Sequence, residues 1–182
     1  GRGRVSIANN IRKRRASYYP SRTNQDKRYL KMAFKFSTGL RKHQVFDGSV
    51  VSALSDCVIR FYSGAVPSSP DAALSSNTLL CEISDDGLGV GLSFSAYNAA
   101  NPATLTKDLS TQWQGDVLAS GVVTFFRLCK KTDTGSNSTS DIRIQGTVSG
   151  NPNADLIITE PNLVVAAIQR IEYFAMTLVA FV

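Results

Sequence analysis

Residues 121–130 read GVVTFFRLCK, residues 132–140 read TDTGSNSTS, and residues 141–148 read DIRIQGTV. The first and third stretches are rich in β-branched and aromatic side chains, and the third alternates apolar and polar residues with the period of a strand. The middle stretch contains residues that favour turns. Together they predict an antiparallel hairpin with Ile142 and Ile144 on one face and Arg143, Gln145 and Thr147 on the other.

Short apolar runs of the same kind lie on both sides of this hairpin and end at turn residues. They are CVIRFY at 57–62, TLLCEI at 78–83, the stretch around Trp113 at 112–117, and residues 156–159, 163–168 and 171–182. The strand at 112–117 is expected to pair with the strand at 121–130 through a tight connection at 119–121. The spacing of these runs predicts an all-β fold, an antiparallel β-sandwich or jelly roll.

Two further segments have distinctive patterns. Residues 47–54 predict a short helix with Asp47 as its N-cap. Residues 171–182 form a last strand that is apolar on both faces, and each face of such a strand must be covered. One cover is the core, and the other is either the adjoining helical segment or a neighbouring subunit. On one face lie Phe174, Met176, Leu178 and Val182, and on the other lie the candidate subunit-interface residues Tyr173, Val179 and Phe181.

The charge is divided unevenly along the 182 residues. The whole chain has 20 basic and 14 acidic residues, a net charge of +6, but residues 1–31 hold ten of the basic residues and only one acid, Asp26. This division predicts an extended basic arm at 1–31 and a β-sandwich domain at 32–182, because the arm has too few aliphatic residues for a core. The arm is expected to contact an acidic protein surface or nucleic acid through Arg2, Arg4, Arg12, Lys13, Arg14 and Arg15.

The sequence offers little for catalysis or for a cofactor. It has one histidine, His43, and three scattered cysteines, Cys57, Cys81 and Cys129, which are expected to be free and buried. The segment GLGVGL at 87–92 lacks the context of a phosphate-binding loop. We therefore expect no catalytic residues, no cofactor and no metal. No apolar run is long enough to span a membrane, so no membrane partner is expected.

Trp113 allows two interpretations. A single tryptophan within a strand is usually part of the core or of an interface. In a β-sandwich it can also offer its face to a sugar ring, which keeps a carbohydrate-binding module as one alternative function.

The chain from Met32 onward resembles a widespread set of small virion proteins of tailed bacteriophages. The similarity is carried by MAFKFSTGLRK at 32–42, VIRFYSGAVPSSPDAA at 58–73, TLTKDLSTQWQGDVLASGVVTFFRLC at 104–129, SDIRIQGTVS at 140–149, ADLIIT at 154–159 and IEYFAMTL at 171–178. The resemblance implies a structural role in the virion, for a protein made in the host cytoplasm. This chain departs from the pattern at Phe125, where tryptophan is frequent, in its larger loop at 132–140 and in its basic arm.

These observations favour a non-enzymatic structural protein of a bacteriophage virion, first of all a head decoration or cement protein. The alternatives are a neck or tail component, a small icosahedral capsid protein whose basic arm faces the genome, and the carbohydrate-binding module. The expected partners are further copies of the chain, other virion proteins of the capsid or neck, and nucleic acid if the arm binds it.

Overall fold

The structure, a computed structural model, describes residues 34–100 and 102–178. Within these residues the chain is mostly β, which confirms the predicted class. The helices are α1 (Thr38–Phe46) and α2 (Val50–Ala53). The strands are β1 (Lys35–Phe36), β2 (Cys57–Ser63), β3 (Thr78–Asp85), β4 (Thr104–Thr106), β5 (Trp113–Asp116), β6 (Gly121–Val122), β7 (Phe125–Lys130), β8 (Arg143–Ser149), β9 (Leu156–Ile157), β10 (Asn162–Leu163), β11 (Ile168–Ile171) and β12 (Ala175–Thr177).

The main sheet has the strand order β1-β8-β7-β2-β3-β5-β11, with antiparallel neighbours, and β9 runs parallel to β8. The hairpin prediction is confirmed, since β7 pairs with β8 and Leu128 lies opposite Ile144. The predicted pairing of 112–117 with 121–130 is wrong. Strand β5 instead lies between β3 and β11, with Trp113 opposite both Asp85 and Ile171.

Two small sheets, β10–β6 and β12–β4, accompany the main sheet. One face of the main sheet, the apolar face, carries buried side chains such as Ile59, Phe126, Leu128 and Ile144. They form one core cluster with residues of the helices and of the small sheets, among them Leu40, Leu54, Leu163 and Met176. The arrangement is sandwich-like, and it does not confirm the jelly-roll alternative.

The helices differ from the predicted one. Helix α1 begins after Ser37, whose hydroxyl accepts a hydrogen bond from the Leu40 N–H at 3.1 Å. Asp47 ends α1 as its C-cap, and Ser49 is the N-cap of α2. The predicted short helix at 47–54 is therefore confirmed over Val50–Ala53, but Asp47 is wrong as its N-cap, because the capping hydroxyl belongs to Ser49.

The second face of the main sheet, the arginine face, carries Arg60, Arg127, Arg143 and Gln145. Arg143 and Gln145, which were predicted to share one face of the strand, are 0% and 1% exposed. Two loops, residues 64–77 and 131–141, cover them. Alternation along the strand is as predicted, and what differs is that both faces of the strand are buried.

The side chains of the arginine face donate hydrogen bonds to main-chain carbonyls of the covering loops. In loop 64–77, Gln145 Nε2 donates to Pro67 at 2.8 Å, Arg143 Nη1 to Pro70 at 3.0 Å, and Arg127 Nη2 to Ala72 at 2.8 Å. In loop 131–141, Arg60 donates to the carbonyls of Lys131 and Asp133 at 2.7 and 2.5 Å. Both loops are thereby fixed to the sheet.

Asp133 is the main counter-ion of this face. Its carboxylate accepts hydrogen bonds from Arg143 Nε at 2.5 Å and Nη2 at 2.8 Å, and the Gly135 N–H donates to it at 2.6 Å. Burial alone would raise the pKa of Asp133, but these hydrogen bonds outweigh it and hold the pKa below its ordinary value. Burial opposes the charge of Arg143, yet the hydrogen bond to Asp133 and its charge raise the pKa of Arg143.

Candidate functional site

Most of the predicted contact residues lie outside the part of the chain that the structure describes. This applies to Arg2, Arg4, Arg12, Lys13, Arg14 and Arg15 of the arm and to Val179 and Phe181 of the interface set. Tyr173 is described, and 68% of its surface is exposed.

The C-terminal strand prediction needs correction. Residues 171–178 do not form one continuous strand, because β11 ends at Ile171 and β12 begins only at Ala175. Of the predicted face with Phe174, Met176 and Leu178, the first two are buried and Leu178 is 39% exposed. The exposed Tyr173 lies in the irregular connection between the two strands.

Trp113 is part of the core, with 1% of its surface exposed. Its ring centroid lies 5.3 Å from that of Phe94 and 5.5 Å from that of Phe174. A ring enclosed by two other aromatic rings cannot stack on a sugar. The interpretation of Trp113 as a carbohydrate platform is therefore wrong, and the core interpretation is confirmed.

His43 belongs to α1, and its half-buried side chain contacts Ser52 of α2. Its Nε2 lies 3.0 Å from Ser52 Oγ, and its Nδ1 lies 3.9 Å from Asp47 Oδ2. The Ser52 hydroxyl also lies within hydrogen-bond distance of the Ser49 carbonyl, to which it donates at 2.8 Å. Because the Asp47 distance exceeds that of a hydrogen bond, the cluster lacks the geometry of an activated nucleophile and serves to join the two helices.

The three cysteines are buried and free, as predicted. Burial raises the pKa of Cys57, Cys81 and Cys129 to about 12 in each case. Thiols in this state are poor nucleophiles at neutral pH.

Residues 34–100 and 102–178 contain no group of three or more histidine, cysteine, aspartate or glutamate side chains placed to hold a metal ion. Within the same residues, no helix has the length and apolar character needed to cross a membrane.

An exposed apolar surface is formed by residues 116–122 and 162–168, here named the apolar ribbon. Its strand pairs share one register, with Val122 opposite Asn162 in β6–β10 and Asp116 opposite Ile168 in β5–β11. Five aliphatic side chains of the ribbon are each 54% to 58% exposed, namely Leu118, Val122, Val164, Val165 and Ile168.

The sequence contains a signal for this ribbon that strand periodicity alone does not reveal. No charged residue occurs from 117 to 126 or from 161 to 169. Half-exposed strands at a sheet edge usually carry charges that prevent association. Strand β11 is the last strand of the main sheet. Its exposed Ile168 lies opposite Asp116, which is the one charged residue in the ribbon.

An open groove of about 580 Å³ lies between residues 154–160 and residues 169–175, with Phe34 also in its wall. It is here named the carboxylate groove, because Asp155, Glu160 and Glu172 line it. The remaining lining is largely apolar and includes the exposed Tyr173. The groove thus combines an apolar floor with negative charge, and Tyr173 is the predicted interface residue that the structure places there.

Comparison of the chain with protein-family models, with curated proteins and with solved structures found no match.

Proposed function

We propose that this chain is a non-enzymatic structural subunit of a multi-copy assembly, specifically a head decoration or cement protein of a tailed-bacteriophage virion. The apolar ribbon is the observation that carries the proposal. The resemblance of residues 32–178 to virion proteins supports the choice of particle. The partners are other copies of the chain and neighbouring capsid proteins.

The size and chemistry of the ribbon support association through it. Five aliphatic side chains that are each about half exposed leave on the order of 400 Å² of uncharged apolar surface, which matches the largest patch of a typical monomer, often a functional one. Removing this area from water on contact with a second copy is favourable. Copies in a closed symmetric assembly can cover the same patch on every subunit.

The test is the oligomeric state of the full chain, measured by sedimentation velocity over a range of concentrations. The double substitution Val122→Lys/Ile168→Lys places two charges in the ribbon, at positions exposed enough to tolerate them. We expect the wild-type chain to self-associate and the variant to associate at least tenfold more weakly, because each lysine must be desolvated in the interface. Leu109→Lys is the matched control, since Leu109 is 75% exposed and lies outside the ribbon.

Denaturant unfolding of each variant verifies that the fold is retained. A wild-type chain that stays monomeric at all concentrations contradicts the proposal, as does a ribbon variant that associates like the wild type. Incorporation into phage particles, with the ribbon variant excluded and the Leu109→Lys control retained, tests the virion assignment.

A further inference from the structure

The charged residues after Arg143 are few, and they all lie in one place. Residues 144–182 contain four of them, Asp155, Glu160, Arg170 and Glu172. All four line the carboxylate groove, which gives it three negative charges and one positive. The rest of this long segment is neutral.

The carboxylates of the groove are not paired with basic side chains of the described residues. Within the part of the chain that the structure describes, none of the three forms an ion pair. Glu160 and Glu172 are exposed, and Asp155 is half-buried and accepts hydrogen bonds from the Thr147 N–H and hydroxyl, both at 2.8 Å. Arg170 Nε donates to Gln114 Oε1 at 2.9 Å, so this guanidinium is held by an amide instead of a carboxylate.

The apolar floor of the groove favours a partner that has apolar side chains as well as charge. Its wall includes Phe34, Leu156, Ile158, Ile171 and Phe174. Ile157 and Tyr173 also line it and remain 55% and 68% exposed. A segment that fills the groove must therefore bring apolar or aromatic side chains together with positive charge.

We propose that the carboxylate groove binds the basic arm, residues 1–31, of a second copy of this chain. The arm carries ten basic residues and one acid, and its Arg12–Arg15 cluster has Ile11 directly before it and Tyr18 and Tyr19 shortly after it. This alternation of cationic and apolar side chains complements both the rim and the floor of the groove. The inference rests on the proposed function, because it supplies a contact between subunits of the assembly.

The length of the arm is compatible with exchange between copies. Thirty-one residues in extended form span roughly 100 Å, several times the roughly 30 Å diameter of a small domain. Among the basic residues of the described domain, Arg127, Arg143 and Lys107 are buried, and the exposed ones occur at most two in a row, as at Arg41 and Lys42. Opposite charges on arm and groove would also speed the encounter and set the register.

The experiment is a disulfide cross-link between two differently tagged full-length variants. One carries Ser17→Cys in the arm and the other carries Thr159→Cys in the groove, and neither change alters a charge. Each copy has a single introduced cysteine, so only a contact between copies yields a mixed dimer. The native cysteines are buried and have raised pKa values, so they stay silent under mild oxidation.

The matched control replaces Thr159→Cys with Ser75→Cys, an exposed position outside the groove. We expect the yield of mixed dimer to be on the order of tenfold higher with Thr159→Cys, because a docked arm has a local concentration near the millimolar range. Adding Glu160→Lys/Glu172→Lys to the groove copy should reduce the yield to that of the control. Adding 1 M salt should have the same effect, because the electrostatic screening length then falls to about 3 Å and little attraction between arm and groove remains. Asp47→Lys on the same copy should leave the yield unchanged.

Equal yields at Thr159→Cys and Ser75→Cys would overturn the inference. So would a yield that charge reversal does not change, or a disulfide that forms only within single copies carrying both Ser17→Cys and Thr159→Cys. If these results occur while the ribbon variant still loses self-association, the groove inference fails alone. If the wild-type chain is monomeric as well, the proposed function fails with it.

Discussion

The two faces of the main sheet are built from alternate residues of the same strands, and both carry buried side chains, but they are covered in different ways. On the apolar face, side chains such as Leu128 and Ile144 pack into a core with the helices and the small sheets. On the arginine face, Arg127 and Arg143 are as deeply buried, yet they bind loop backbone through hydrogen bonds. A strand can therefore have two buried faces while its sequence alternates in polarity.

The apolar face and the arginine face contribute differently to the stability and to the shape of the fold. Burial of apolar surface stabilises the fold without requiring one orientation of the groups involved. A guanidinium taken out of water is costly, and its hydrogen bonds and counter-ion largely offset that cost instead of adding a net gain. The apolar face thus accounts for stability, and the arginine face fixes the positions of loops 64–77 and 131–141.

Removing one partner of the buried ion pair should have the largest effect. Arg143→Ala leaves the Asp133 carboxylate, 3% exposed, without its main counter-ion and frees the Pro70 carbonyl. We expect a loss of roughly 3–5 kcal/mol in the free energy of unfolding, measured by chemical denaturation.

The control for this variant removes both charges. Asp133→Asn/Arg143→Met removes both charges of this ion pair, and it should be less destabilised than Arg143→Ala alone. If the double variant is the less stable of the two, the ion pair is a net source of stability and the distinction between the faces does not hold.

A truncation on the apolar face should have a somewhat smaller effect. Leu128→Ala leaves a cavity beside Ile144, and the expected loss in the free energy of unfolding is about 3 kcal/mol from transfer and cavity terms.

Hydrogen exchange then distinguishes the roles of the two faces. Leu128→Ala should speed exchange across the sheet, whereas Arg143→Ala should first expose the amides of loops 64–77 and 131–141. Equal exchange in the loops of both variants would contradict the division of roles.

The smallest effect should be the dependence on pH, and it should appear on one face only. The folded-state pKa of Asp133 is depressed, so its contribution to stability is present above its unfolded pKa, near 4, and is lost as the pH falls through the lower folded value. The difference in stability between wild type and Arg143→Ala should therefore shrink in acid. The difference between wild type and Leu128→Ala should stay constant from pH 7 to pH 3, and a parallel decline of both would contradict this assignment.

The sequence predicts the features that depend on neighbouring residues. The β7–β8 hairpin follows from two strand-like runs joined by a polar loop, and the burial of Trp113 and of the cysteines follows from their apolar surroundings. The pairing of β5 with β3 and β11 joins residues far apart in the chain, so no local pattern specifies it. A tight turn at 119–121 is compatible with the local sequence and would pair 112–117 with 121–130. In the structure, β5 pairs with β3 and β11 instead.

Helix α1 and the buried arginine face could not be predicted for a related reason. Thr38 and Gly39 are weak helix formers, and the Thr38 N–H is bound by Asp71 at 2.9 Å, a residue 33 positions away. Gly39 lies so close to the backbone of Ser140 that a Cβ would stand 2.3 Å from its carbonyl oxygen. Arg143 and Gln145 are likewise covered by backbone groups of distant loops, which leave no side-chain pattern.

The choice of main-chain carbonyls as acceptors has a consequence for how this protein can diverge. A carbonyl oxygen is present whatever the side chain, so the anchors at Pro67, Ala72 and Lys131 do not depend on which residues occupy those positions. Loops 64–77 and 131–141 can therefore change their outward side chains over generations while keeping their shape. Arg60, Arg127 and Gln145 hold the backbone of these loops in place, whatever side chains the loops present to the outside.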